Sequence, residues 1–249
     1  MQPRFEVDGN QLVAHLATPT QPRYSGQPGV VIVHGFPAQI AGGIDATVSL
    51  PELADEIATA HQWTALAYAS RGVGASEGDF SLGGWLRDIH GAVDCLRSSA
   101  DVDSVYLLGF GTGGALAIEA AAADPEILGV AAVGAPADFD DWARSPRKLL
   151  VVARDLGLIR DQGFPANLDR WAAEFSSIRA VEAAARLDER ELLVLHGSED
   201  ETVPLFEARA VADSHGMADL RVIQGAGHQL RHDPRAMAVL FGWLERHRR

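Results

Sequence analysis

The run Val105 to Gly109, the turn Phe110-Gly111-Thr112-Gly113-Gly114 and the apolar stretch Ala115 to Ala123 constrain this chain more than any other segment. A short unbroken apolar run reads as a strand buried on both faces. A helical run follows at once, through a turn with glycine at three of its five positions, the residue that tolerates left-handed backbone and close approach. The succession recurs. Val30 to Val33 run into His34-Gly35-Phe36-Pro37, Trp63 to Ala69 into Ser70-Arg71-Gly72-Val73-Gly74, and Leu192 to Leu195 into His196-Gly197-Ser198-Glu199-Asp200. Strands near Val30, Ala65, Val105, Val130, Leu193 and Val222 alternate with helices over Pro51 to His61, Leu82 to Ser98, Thr112 to Ala123, Pro204 to His215 and Pro234 to His247. This pattern predicts an α/β fold, a mostly parallel central sheet with helices on both faces. A hairpin, Phe5 to Val7 and Leu12 to Leu16 about Asp8-Gly9-Asn10, precedes it.

At 249 residues and 47% hydrophobic, the chain is long enough to bury one substantial core, and a single domain over 1–249 is expected. Residues 136–187 break the alternation. They carry Asp138-Phe139-Asp140-Asp141-Trp142, an apolar segment from Leu149 to Leu158, a Gly163-Phe164-Pro165 break and a second helical segment from Leu168 to Leu187. The net charge of -13 disfavours nucleic acid and anionic membrane surfaces as partners. No apolar run approaches the roughly 18 residues of a membrane helix and the N-terminus has no targeting stretch, so a cytoplasmic location is expected. Cys95 has no second cysteine to pair with and falls where a helix wants a small buried residue. The histidines are scattered without metal-ligand spacing, and the glycine turn follows a late strand with no acidic residue placed to bind a ribose. No metal and no cofactor are expected.

Gly109-Phe110-Gly111-Thr112-Gly113 has the form of a G-x-S-x-G nucleophile elbow with glycine at its centre. Centring the turn on Thr112 would put bulky Phe110 at a flank that needs a small residue. Gly111 is therefore read as a vacant nucleophile position. Alone, the turn is equally an ordinary tight connection or a phosphate-binding loop. Together with His34-Gly35-Phe36-Pro37, Ser70-Arg71-Gly72-Val73-Gly74-Ala75-Ser76-Glu77-Gly78, His196 to Pro204 and Gly225-Ala226-Gly227-His228, in that order after predicted strands, it makes nearly the whole chain resemble the α/β-hydrolase superfamily, of the serine ester hydrolase or lipase type.

The resemblance implies the α/β-hydrolase fold, with 136–187 as a helical lid inserted after the sixth strand. It implies Asp200 as the acid and His228 as the base of a triad, in the chain order this superfamily uses, and the backbone N–H groups of Phe36 and Thr112 as an oxyanion hole. Each residue has another reading. Asp200 could cap the helix beginning near Val203, with Glu199 as the substitute acid. His228 could be a solvated turn histidine, as His215 and His232 are read. Asp138 also follows a strand, at a place where some relatives keep their acid, but its motif is less complete. His34 and His196 are read as structural, each bonding a nearby carbonyl, and Arg71 and Glu77 as ordering a loop they share. Trp142, Phe164, Trp171 and Phe175 either line a ligand pocket or fasten the lid to the core.

Glycine offers no oxygen to attack a carbonyl, so the acyl-enzyme route is closed. The expectation is a scaffold inactive or nearly so in serine hydrolysis, which binds a small, partly apolar molecule. The alternatives are a His228–Asp200 dyad that activates water or takes a proton from a carbonyl compound, and an active hydrolase whose native serine has been replaced.

Overall fold

The computed structural model describes residues 3–20, 26–37 and 50–248. Strands β1 (Arg4–Val7) and β2 (Asn10–Ala17) form the expected hairpin. Val7 pairs with Asn10, leaving Asp8 and Gly9 as a two-residue turn with φ of 51° and 78°. Both angles are positive, as in a type I′ turn, whose twist matches that of the strands it joins. Next come β3 (Gln27–Val33), α1 (Leu50–His61), β4 (Thr64–Tyr68), α2 (Leu82–Ser99), β5 (Val102–Phe110), α3 (Thr112–Ala123) and β6 (Ile127–Val133). After an insertion the chain resumes with β7 (Glu191–Gly197), α8 (Leu205–His215), β8 (Asp219–Ile223) and α9 (Pro234–Arg246).

The strands make one eight-stranded sheet in the order β1-β2-β4-β3-β5-β6-β7-β8. β1 and β2 pair antiparallel, β2 joins β4 antiparallel, and every pairing from β4 to β8 is parallel. Successive residues of a buried strand feed opposite faces. Val30 and Ile32 join the core on the face covered by α1 and α9, whereas Val31 and Val33 join the core on the opposite face, which α2, α3 and α8 cover. Each such fully buried side chain is worth about 1.5–3 kcal/mol relative to exposure. No described helix is long and apolar enough to cross a membrane.

The segment between β6 and β7 folds as α4 (Asp140–Arg144), α5 (Pro146–Asp155), α6 (Leu168–Ser177) and α7 (Ala180–Ala184). The single helix expected over 168–187 is therefore two. Ile178 and Arg179 are extended between them, with ψ of 111° and 98°. The break places the Arg179 guanidinium against Asp138 and Asp140. It also lets α7 lie on α3 and α8. The insertion is tied to the rest of the domain: Glu174 on α6 accepts the Gly83 N–H at 2.9 Å, Trp171 Nε1 donates to Phe80 O at 3.2 Å, and Asp79 accepts the N–H of Arg160 and of Asp161. Cys95 is half-buried rather than core, with Sγ 3.8 Å from Ser99 Oγ on the next turn of α2.

Candidate functional site

The turns at the carboxyl ends of β3, β5, β6 and β7 and the loop after β8 converge on Gly111. In a parallel α/β sheet this is the edge where helix N-termini and loop backbone are open to a ligand. Close packing needs the flanking glycines. A Cβ on Gly109 would collide with Gly113 O and lie 2.5 Å from Gly114 Cα, and one on Gly113 would collide with His34 O. Gly111 itself has φ 51° and ψ −124°. Its N–H donates to Val133 O at 2.8 Å, and its carbonyl accepts the N–H of Gly114 at 2.9 Å as α3 begins. A Cβ built on Gly111 would lie 3.7 Å from His228 Nε2 and 3.8 Å from Gly35 Cα, in open van der Waals contact.

There is thus room for a side chain, but the backbone there strains any residue that carries one. Such angles cost on the order of 1–3 kcal/mol, against the roughly 0.5–1 kcal/mol of folding entropy that alanine saves over glycine. Gly111→Ala is expected to lower the unfolding free energy by about 1 kcal/mol, the difference between the middle values of those terms. A urea titration that finds Gly111→Ala as stable as the parent would refute the strained turn.

His228, in the loop after β8, has Nδ1 2.8 Å from Asp200 Oδ2. A carboxylate only accepts, so Nδ1 carries the hydrogen and Nε2 presents its lone pair toward the Gly111 position. The Asp200 side chain is fully buried. Its Oδ1 accepts the N–H groups of Thr202 and Val203, both at 2.9 Å. The two readings of Asp200 thus fall on different oxygens: one caps the turn into α8 and the other faces the histidine. Glu199 is exposed. Asp138 is engaged elsewhere, accepting the Asp140 N–H at 3.0 Å and pairing with Arg179 at 3.3 Å. On the other side of the imidazole lies Gly134, where a Cβ would be 3.5 Å from His228 Cε1 and Nδ1. The sequence reading passed over this residue, although a glycine at a strand end before Ala135-Pro136 repeats the pattern of the other turns.

Among the described residues, the backbone N–H groups of Phe36 and Thr112 donate to no protein acceptor. Phe36 follows Gly35, which touches the Gly111 position, and Thr112 opens α3, where helix N–H groups point outward. His34 backs this turn: its Nδ1 is 2.8 Å from Gly35 O, and its Nε2 accepts the Ser70 N–H at 3.0 Å. His215 is half-buried against Arg190 O rather than solvated, and His232 is exposed.

The four aromatics of the insertion separate into two pairs. Trp171 and Phe175 are 3% and 0% exposed, with ring centroids 4.7 Å apart, and their rings join Phe80 and Trp142. Side chains so completely covered fasten the insertion to the core and do not line an open pocket. Trp142 and Phe164 are half-buried, and the Trp142 ring meets that of Phe36 at 5.1 Å. Glu207 on α8 accepts the Ala137 N–H at 2.9 Å with its carboxylate. Burial pushes its carboxyl above the ordinary range, against the pull of that hydrogen bond, and the charges of Asp138, Asp141 and Asp200 add to the rise.

The chain is 25% identical to a 2-hydroxymuconate semialdehyde hydrolase of Pseudomonas sp. (strain CF600), over 96% of this chain and 94% of that protein. Among solved structures, GrgF from Penicillium sp. sh18, an alpha/beta hydrolase, superposes with a TM-score of 0.75 at 20% identity, covering 100% of this chain and 98% of that one. Est1E from Butyrivibrio proteoclasticus, in a structure with ferulic acid bound, superposes with a TM-score of 0.72 at 22% identity, covering 98% and 97%. Residues 30–241, from the first parallel strand into the last helix, match the alpha/beta hydrolase family, and the chain belongs to it.

Proposed function

We propose that this alpha/beta hydrolase works without a serine nucleophile. A small, partly apolar carbonyl compound sits with its oxygen at the N–H groups of Phe36 and Thr112, and His228, oriented by Asp200, acts as general base in the space that a side chain at Gly111 would fill. The observation that carries this reading is the line of contacts from buried Asp200 through His228 to the open position above Gly111. In the hydrolytic form, Nε2 takes a proton from a water, whose oxygen attacks the carbonyl carbon. The two N–H groups stabilise the oxyanion, and the imidazolium returns its proton to the leaving group. Asp200 stays ionised throughout and stabilises the imidazolium. General-base catalysis of this kind contributes about 10²–10⁴-fold, so turnover is slow beside that of an acyl-enzyme route.

A panel of short-chain aryl esters tests it, run with and without a serine-directed phosphonate. The expected result is slow hydrolysis that His228→Ala abolishes, with no covalent label on the parent. Hydrolysis unchanged in His228→Ala would defeat the proposal. Ligand binding with no turnover at any pH would hand the site to the binding-only reading.

A further inference from the structure

Asp200 is gripped through a residue outside the dyad. His196, near the end of β7, is completely buried, with Nε2 2.8 Å from Val203 O and 3.4 Å from Asp200 Oδ2. A carbonyl only accepts, so the ring hydrogen is on Nε2. Nδ1 is buried and, among the described residues, has no hydrogen-bond partner, which leaves Nε2–H as the ring's one polar contact. Val203 is consequently held from both sides: its carbonyl accepts from His196, and its N–H donates to Asp200 Oδ1 at 2.9 Å. Between these anchors the backbone bulges to solvent, with Glu199, Glu201 and Thr202 exposed. Among the described residues, no other hydrogen bond to the Val203 carbonyl is found.

We propose that His196 is a positioning residue for Asp200, fixing Val203 and, through its N–H on Oδ1, the carboxylate whose other oxygen, Oδ2, orients His228. The proposal rests on the dyad reading above. It also explains why a polar ring occupies a dry position on a strand whose other buried side chains are apolar. A hydrophobic residue would fill the volume but leave Val203 O unpaired and the turn free to shift, and misplacement by about 1 Å is enough to cost on the order of 10²-fold in a reacting site.

The test reads the hydrogen bond itself and needs no substrate. In the parent, the Nδ1 hydrogen of His228, held against Asp200, should give a far-downfield proton resonance protected from exchange with water. His196→Phe keeps a ring but removes the N–H, and the resonance should be lost while circular dichroism stays that of the parent. His196→Gln sets an amide N–H near the place of Nε2 and should keep the resonance. His196→Asn reaches only the place of Nδ1 and should lose it. Should His196→Phe fail to fold, the Gln and Asn pair decides. A role confined to filling the core would leave the resonance intact in every folded variant, and its persistence in folded His196→Phe or His196→Asn overturns the proposal alone. Its absence from the parent overturns the dyad and this proposal together.

Discussion

Gly111→Ser is expected to turn an unreactive chain into one that a serine-directed phosphonate labels stoichiometrically. A Cβ on Gly111 falls 3.7 Å from His228 Nε2, so one further bond carries a hydroxyl oxygen into hydrogen-bond reach of the imidazole. The same position touches Gly35, next to the Phe36 N–H, and precedes the Thr112 N–H, so an oxyanion formed there has both donors at hand. Removing a triad serine elsewhere costs roughly 10⁶-fold in turnover, and the reverse change here should raise aryl-ester hydrolysis on the order of 10³-fold or more. The strain of a non-glycine residue at φ 51° takes on the order of 1–3 kcal/mol from stability without closing the site. Adding His228→Ala or Asp200→Asn should abolish the gain, because the new hydroxyl is inert without its base. A folded Gly111→Ser protein that takes up no phosphonate would show that this position is not a nucleophile site in register with His228.

The sheet was legible because strands buried on both faces are continuous apolar runs, and because each parallel strand ends in a glycine turn that only close strand–helix packing demands. Helix ends were legible where caps are local: Ser81 accepts the Gly84 N–H and Asp233 the Arg235 N–H, as such residues do before a helix. The facing of Gly111 and His228 came from motifs, not from pattern, since no periodicity brings together residues so far apart in the chain. The aromatics of the insertion were ambiguous for a related reason. Trp171 and Phe175 sit one helical turn apart and Trp142 on another element, and composition cannot say which face each helix turns inward. The break at Ile178 and Arg179 was hidden because its driving contacts, Asp138 and Asp140, lie on the far side of α5 and α6 in sequence. Arg71 was misassigned for the same reason. It shares the loop between β4 and α2 with Glu77 but not a contact: the Glu77 carboxylate accepts the Gln11 N–H at 2.9 Å, and the Arg71 guanidinium pairs with Asp88 on α2 and with Asp8 of the hairpin.

Among the ion pairs of the described residues, that one should be the most costly to break by a single substitution. Asp88 is wholly buried, and its carboxylate accepts the Arg71 backbone N–H at 2.8 Å, Nε at 3.0 Å and the terminal guanidinium nitrogen at 2.7 Å. Asp88→Ala leaves a guanidinium, 8% exposed, with only the half-exposed Asp8 to balance it, and the expected loss is about 3–5 kcal/mol of unfolding free energy. The damage should reach the candidate site. The Arg71 carbonyl accepts Trp85 Nε1 at 3.0 Å, Trp85 packs edge-on to the buried His34 ring, and His34 holds the turn that presents the Phe36 N–H. Replacing both members, Arg71→Met with Asp88→Leu, removes the stranded charge as well as the pair, and should recover much of the loss. Urea unfolding of the three proteins decides the matter. Asp88→Ala within about 1 kcal/mol of the parent, the range of an exposed ion pair, would mean that water reaches the Arg71 guanidinium and that the pair is not the buried clamp described here.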